Sequence, residues 1–263
     1  MLVEQIWTQN DYRNFNYLIA CPLSGEAMAV DPLHYEQCIA RAKDKGWEIT
    51  KVLNTHHHHD HIGGNDGIIE FTGAKLLAHS EAKDNIQNID IPLSAGSTIQ
   101  VGKEVVFEVL DTPGHTMSHV CIVSKTDIPA LFSGDTLFNA GAGHCKGGGH
   151  PESLFDTFSK QLSKLPDHTL IYPGHDYILN NLNFTLDREP DNERAITLLK
   201  QIDGQDTNNA LVTTIGLEKE INTFFRLQSP SVHTALRKAF PDLPDELDEK
   251  IVFLKLRELR NSW

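Results

Sequence analysis

The sequence predicts an α/β fold, a layered domain of mixed strands and helices carrying a small helical domain at its C-terminal end. Two observations carry that reading. Short apolar runs alternate with turn residues from the first residues to Tyr172, and beyond Tyr177 helical stretches take over with no convincing strand. A boundary between 1–176 and 177–263 follows. With 263 residues, 40% of them apolar, the chain is long enough to bury a substantial core.

Ile6-Trp7, Tyr17–Ala20 and Ala27–Val30 read as strands of a meander that ends at Asp31-Pro32. A helix is expected over Tyr35–Lys45, stopped by Gly46. Lys51–Leu53 is the next strand, a short helix should follow Gly64, and Lys75–Ala78 is a further strand. Val101–Leu110, broken near Gly102-Lys103, reads as a hairpin. His119–Ser124 and Ala130–Phe132 continue the strand pattern, Pro151–Leu165 is helical, and Thr169–Tyr172 is the last buried strand. Helices are then expected over Asn192–Ile202, Leu217–Arg226, Ser231–Phe240 and Asp245–Arg260, punctuated by Pro230, Pro241 and Pro244.

The net charge of -13 argues against binding a polyanion, because DNA or RNA recognition needs a basic groove that displaces counterions. Cys21, Cys38, Cys121 and Cys145 are scattered, with no C-x-x-C pair, which fits reduced thiols in a cytoplasmic protein better than a disulfide framework. Met1–Trp7 lacks the basic start and apolar block of a secretory signal, and no segment has the length of a membrane span. The expectation is therefore a cytoplasmic monomer with neither a nucleic-acid nor a membrane partner.

The residues that carry chemistry begin with Thr55-His56-His57-His58-His59-Asp60-His61. A hydrophobic core has no use for five imidazoles and a carboxylate in seven residues. An affinity tag or a surface metal sponge would also be histidine-rich, but this run lies inside the chain, between an apolar strand and Gly63-Gly64. His56 and His58 are two apart, hence on one side of an extended segment, while Asp60 and His61 face elsewhere. Three later motifs share the form of apolar strand, tight turn and ligand-type residue: Pro113-Gly114-His115, Ser133-Gly134-Asp135 and Pro173-Gly174-His175. Together they make two ligand sets. His56, His58 and His115 supply three nitrogens to one metal; Asp60, His61 and His175 supply an oxygen and two nitrogens to another; Asp135 bridges the two. Imidazole and carboxylate suit zinc first, with iron or manganese admissible. A water shared by two such ions has its pKa lowered from about 15.7 towards roughly 7.

These motifs resemble the metallo-β-lactamase superfamily, whose pattern is Thr-His-x-His-x-Asp-His with later His, Asp and His. More narrowly, the chain is similar to the glyoxalase II, or hydroxyacylglutathione hydrolase, family. That likeness rests on Pro173-Gly174-His175-Asp176-Tyr177-Ile178-Leu179-Asn180-Asn181-Leu182-Asn183-Phe184 and on Ile215–Arg226. The resemblance implies an αββα metallo-β-lactamase sandwich with the ligands at one edge and a C-terminal helical domain over the substrate. It implies hydrolysis of a glutathione thioester, such as S-D-lactoylglutathione, by a hydroxide held on two divalent ions, with Asp60 and Asp135 as the catalytic carboxylates. A thiolate leaving group, with a parent pKa near about 8.5, needs no separate general acid.

Substrate contacts follow residue by residue. Tyr177 matches the family's tyrosine after the last histidine. Arg257-Glu258-Leu259-Arg260 stands where the family has Arg-x-x-Lys, so Arg257 and Arg260, one helical turn apart, are candidates for a carboxylate clamp. The glycine-rich segment Ala140–His150 lacks the family's aromatic residue, and Lys146 is the candidate for its cationic role. His57 and His59 are expected to be non-ligands, one packed behind the site and one at its rim. His79 is expected to be structural, and Asp31 and Asp111 are candidates to hydrogen-bond a ligand imidazole. Cys145 has no activating partner in the sequence. Two other functions compete: a glutathione persulfide dioxygenase with one iron on His56, His115 and Asp135, and a thioesterase of different acyl or thiol specificity.

Overall fold

The computed structural model describes residues 1–263, which fold into two stacked six-stranded sheets with helices on both outer faces. The first sheet runs in chain order: β1 (Leu2–Trp7), β2 (Phe15–Ala20), β3 (Glu26–Val30), β4 (Glu48–Leu53), β5 (Lys75–His79) and β6 (Ile91–Leu93). β1, β2 and β3 are an antiparallel meander, and β3 to β6 are parallel. Parallel neighbours need crossovers, which α1 (Tyr35–Lys45) provides between β3 and β4, the single turn α2 (His59–Ile62) and α3 (Asn65–Thr72) between β4 and β5, and a 3-10 turn, Ser80–Asp84, between β5 and β6. Gly46 ends α1 in the left-handed conformation, φ 69°, as its position in the sequence led one to expect.

The second sheet contains β7 (Thr98–Val101), β8 (Val105–Asp111), β9 (Val120–Ser124) and β10 (Ala130–Gly134). A small hairpin, β11 (Leu137–Phe138) and β12 (Gly141–Ala142), and α4 (Pro151–Lys160) follow, before β13 (Leu170–Pro173) pairs parallel with β10. Beyond β13 come α5 (Ile178–Arg188), α6 (Glu193–Ile202), the two-residue β14 (Thr213–Thr214), α7 (Ile215–Ile221), α8 (Pro230–Ala239) and α9 (Glu249–Arg260).

Strand alternation explains the layers. Leu53 and Phe132 point into the space between the sheets with Tyr17, Met28 and Phe107. Their neighbours Val52 and Leu131 point outwards, Val52 onto Cys38, Ala42 and Ile68 beside α1 and α3, and Leu131 onto Leu154, Phe158, Leu236 and Phe253 of α4, α8 and α9. The Tyr17 and Phe132 rings meet edge to face, 5.3 Å apart. Each fully buried aromatic of this kind contributes about 2–3 kcal/mol of transfer free energy. The αββα architecture is thus a consequence of period-2 patterning with both strand faces apolar.

The helical part departs from the sequence reading in three places. α5 precedes the helical stretches read from the sequence, which begin at Asn192: Asn180, Asn181 and Asn183 are poor helix formers, and burial of Ile178, Leu182 and Phe184 on one face outweighs them. The helix expected over Leu217–Arg226 stops at Ile221, where Asn222 turns its side-chain oxygen to the Phe224 N–H. A strand does occur after Tyr177: β14 pairs antiparallel with Leu170 and Ile171 and closes the open edge of β13. Earlier in the chain, the hairpin begins at Thr98 rather than Val101, and α4 ends at Lys160 with a 3-10 turn behind it.

Candidate metal centre

Every ligand-type residue singled out in the sequence leaves the carboxyl end of a strand. β4 runs into Asn54, Thr55 and His56; the turn α2 carries Asp60 and His61; the loop after β8 carries His115; Asp135 directly follows β10, and His175 follows β13 after Gly174. Two glycines allow the close approach. Gly134 has φ 46°, and a Cβ there would lie 2.5 Å from Thr55 Oγ1. A Cβ on Gly174 would lie 2.3 Å from Asp135 Oδ1.

Three groups of ligand atoms gather, each within 4.8 Å: His56, His58 and His115; Asp60, His61 and His175; and His56, His61 and Asp135. His58 Nδ1 lies 3.0 Å from His56 Nε2 and 2.9 Å from His115 Nε2. His61 and His175 approach Nε2 to Nε2 at 3.3 Å, with Asp60 Oδ2 at 3.6 and 3.4 Å from them. The Asp135 carboxylate reaches both sides, with Oδ2 at 3.2 Å from His175 Nε2 and 3.6 Å from His115 Nε2, and Oδ1 at 3.4 Å from His61 Nε2.

The outward nitrogens decide what these atoms are. His58 Nε2 faces the Gly147 carbonyl at 2.9 Å, His115 Nδ1 the His144 carbonyl at 2.6 Å, and His175 Nδ1 the Tyr12 carbonyl at 2.7 Å. His61 Nδ1 faces Asp31 Oδ2 at 2.9 Å. His56 Nδ1 lies 3.0 Å from Thr55 Oγ1, whose hydroxyl donates to Asp31 Oδ2 at 2.7 Å and so accepts from the ring. An acceptor on the outer side fixes the N–H there and leaves the inner nitrogen with a lone pair. With all five rings neutral, their inward lone pairs at these distances repel one another, and Asp135 Oδ1 is buried with no hydrogen-bond partner. A cation converts every one of these repulsions into an attraction. The donor set, imidazole nitrogen plus carboxylate oxygen, fits a divalent metal.

Burial pushes His115 down to about 3 and holds His56 well below the ordinary imidazole range, so both rings are neutral, the form in which an imidazole can take a metal. At His61 burial is outweighed by the carboxylates of Asp135 and Asp31, which raise its pKa well above the usual value. A metal ion binding there displaces a proton. Burial works against ionisation of Asp135, yet the His175 and His61 imidazoles keep its pKa well below the usual carboxylate range.

The other expected residues are placed as follows. Tyr177 stacks on His175, ring centroids 4.9 Å apart and 7° from parallel, and its hydroxyl donates to the Tyr12 carbonyl at 2.9 Å. Beside the metal centre is a cavity of 160 Å³ lined by residues that include His144, Lys146, Tyr177, Arg257 and Arg260. Lys146 Nζ bonds the Asn261 carbonyl at 3.1 Å. The two arginines do not act alike. Arg257 is buried, and its Nη1 donates to the Ala142 and Gly143 carbonyls at 2.7 and 3.0 Å, so this guanidinium is turned to backbone. Arg260 is only half-buried, lying over the Phe184 and Trp263 rings with a weak 3.4 Å contact to Asn181. His57 is half-buried against Ser118, and His59 is exposed. His79 caps the 3-10 turn after β5 by accepting from the Glu81 N–H; its Nε2 lies 3.4 Å from Asp111 Oδ1, an oxygen with no hydrogen-bond partner, so Asp111 does not hold a candidate ligand imidazole through it.

Two residues escaped the sequence reading. His119 is buried behind Asp135, accepting from its N–H at 3.2 Å, while Thr112 Oγ1 and Thr136 Oγ1 hold its other nitrogen at 2.9 and 3.1 Å. Its place four residues after His115, opening an apolar strand, was the available signal. Asn14 touches Asp60, and nothing in a polar turn such as Asn10–Asn14 marks it out.

Comparison with known proteins agrees with this geometry. Residues 21–175 match the metallo-beta-lactamase superfamily, and residues 176–263 match the family described as hydroxyacylglutathione hydrolase C-terminus. Proteins named hydroxyacylglutathione hydrolase from Nitrosococcus oceani and Polaromonas sp. are 62% and 61% identical, each over the full length of both chains. The chain belongs to the hydroxyacylglutathione hydrolase family. Among solved structures, ETHE1 from Myxococcus xanthus superposes with a TM-score of 0.68 at 23% identity, covering 100% of this chain and 99% of its own. The B3 metallo-beta-lactamase BLEG-1 gives 0.67 at 22% identity, covering 85% of this chain and 99% of its own. At such identities these two speak for the fold alone. No helix of the chain is long and apolar enough to cross a membrane.

Proposed function

We propose that the chain hydrolyses a glutathione thioester of the S-D-lactoylglutathione type to a 2-hydroxy acid and glutathione. In this reading it works with two divalent metal ions, zinc foremost. His56, His58 and His115 hold one ion, Asp60, His61 and His175 the other, and Asp135 lies between. The observation that carries the proposal is the set of five imidazoles whose outer nitrogens are engaged and whose inner nitrogens gather around the Asp135 carboxylate, one oxygen of which has no hydrogen-bond partner. Family membership supplies the substrate class.

When bound, the ions supply Lewis acidity and a strong nucleophile at neutral pH. The chain's own residues do the rest. Asp31, Thr55, Tyr12, His144 and Gly147 fix the ligand tautomers by accepting at the outer nitrogens. His119 holds the backbone at Asp135. Lys146, Tyr177 and Arg260 line the adjoining cavity and are assigned to the peptide part of the thiol, Arg260 to a carboxylate. No side chain need protonate the leaving sulfur, because a glutathione thiolate is stable near neutral pH, with a parent pKa of about 8.5.

An acidic chain, net charge -13, is unsuited to nucleic acid. Its four cysteines, none paired, fit a reducing cytoplasm, and we assign it there as a monomer. The test is to count metals per purified chain and to follow cleavage of S-D-lactoylglutathione beside a coenzyme A thioester. Two ions and a strong preference for the glutathione ester are expected. Equal rates would remove glutathione recognition, and one iron with oxygen uptake on glutathione persulfide would replace the hydrolase by a dioxygenase.

A further inference from the structure

The turn between β1 and β2 reaches across to the metal centre. The Tyr12 carbonyl accepts from His175 Nδ1 at 2.7 Å and from the Tyr177 hydroxyl at 2.9 Å. Arg13 pairs with Asp176 through side chain and backbone, and Asp176 N–H returns a bond to the Arg13 carbonyl at 2.9 Å. Gln9 and Arg13 both stand in the left-handed region, φ 59° and 61°. That conformation costs a non-glycine residue of order 1 kcal/mol and persists only where its surroundings impose it. A turn so tied down holds the side chain of Asn14, which is 1% exposed, against the metal centre.

The direction of its amide is set by Asn10. Asn10 Nδ2 donates to Asn14 Oδ1 at 2.8 Å, and Asn10 Oδ1 accepts from the Asn14 backbone N–H at 3.1 Å. With its oxygen engaged outwards, Asn14 turns Nδ2 to the centre. One hydrogen goes to the Asp60 carbonyl at 3.2 Å and the other to Asp60 Oδ2 at 3.1 Å, with His175 Nε2 next nearest at 3.5 Å. Asp60 Oδ2 is the same oxygen that lies 3.6 and 3.4 Å from His61 and His175 Nε2. No bond of Asn14 reaches His56, His58 or His115.

We infer that Asn14, aimed by Asn10, is a positioning residue for one half of the metal centre: it holds the Asp60 carboxylate oxygen towards His61 and His175 and thereby sets the affinity of that half-site alone. The inference rests on the two-ion reading above. An amide donor fixes the rotamer of Asp60 while leaving the oxygen a second lone pair for a cation. Loss of such an outer partner weakens metal binding about tenfold to a hundredfold.

The experiment is a competition titration of metal-stripped protein with zinc ions against a chromophoric chelator, with thermal unfolding of the stripped protein recorded alongside. Wild type should bind two ions. Asn14→Ala should keep one ion at wild-type affinity and bind the second at least tenfold more weakly, with unfolding of the stripped protein little changed. If Asn14→Ala folds poorly, Asn10→Ala frees the Asn14 amide to rotate without touching the centre, and the same one-sided loss is expected. Unchanged affinities, or equal weakening of both ions, would overturn the role of Asn14. A wild type that takes up a single ion would instead overturn the two-ion reading on which it stands.

Discussion

Asp31 is a demanding test of how the imidazoles are held. It is 3% exposed and sits at φ 48°, just beyond β3, with every carboxylate contact accounted for by donors. Oδ1 accepts from the Thr55 N–H at 2.8 Å; Oδ2 accepts from the Thr55 hydroxyl at 2.7 Å and faces His61 Nδ1 at 2.9 Å. Asp31→Asn keeps shape and volume but replaces one acceptor by an NH2 group. On the Oδ1 side the amide meets a backbone N–H that cannot turn away. On the Oδ2 side it meets the imidazole N–H, and relief requires His61 to move its proton to Nε2, the nitrogen that should bind the metal. A charge-assisted bond is worth about 1.5–3 kcal/mol. One such loss at His61 corresponds to about tenfold to a hundredfold in metal affinity, at about 1.4 kcal/mol per decade. The assay is metal competition at fixed pH on stripped wild type and Asp31→Asn, with unfolding midpoints recorded for both. Selective weakening of the ion on Asp60, His61 and His175 is expected, together with a lower midpoint. Binding within threefold of wild type at both sites would refute the idea that Asp31 sets the His61 tautomer.

Other expectations concern the surroundings. Glu218, fully buried beneath the Ala140 N–H, has its pKa pushed up by burial to about 7 from an ordinary 4.5. The folded chain therefore holds that proton more tightly than the unfolded one. Its stabilising effect is complete below about pH 4.5 and is lost as pH rises to about 7, a change of order 3 kcal/mol. Glu218→Gln should flatten the curve of unfolding midpoint against pH in that window, and a parallel curve would count against it. Gly174→Ala should drive a methyl group into Asp135 Oδ1, 2.3 Å from the new Cβ, and lower both kcat and metal content; full activity would contradict the packing. Arg260→Met should raise KM about tenfold with little change in kcat, as loss of one charged contact predicts. Arg257→Met should instead lower the unfolding midpoint by orphaning the Ala142 and Gly143 carbonyls, and an exchange of these two phenotypes would reverse the assignment.

The ligand-type residues were legible because each follows an apolar strand and a turn with its own chemistry: Pro-Gly before His115 and His175, Ser-Gly before Asp135. Layering was legible too, since Val52-Leu53 and Leu131-Phe132 put apolar side chains on both strand faces. What escaped depends on partners far away in sequence. Asn14 and Asp60 are 46 residues apart, and a turn asparagine looks the same whether or not it meets a carboxylate. β14 has only two residues, too few for a periodicity, and exists because β13 offers it unpaired backbone groups. Arg257 and Arg260 share a helix face, yet which of them reaches solvent depends on where the Ala142 and Gly143 carbonyls lie.

The pairing of β14 with β13 bears on how the chain comes off the ribosome. Until Thr213 and Thr214 emerge, β13 is an outer strand with its hydrogen-bonding groups open to any passing β-segment. His175, at the far end of that strand, is thus delivered by an element whose flank is sealed about forty residues later in synthesis. A nascent chain stalled or clipped between the two would be prone to edge-to-edge self-association, and quality control has most reason to watch this interval of translation.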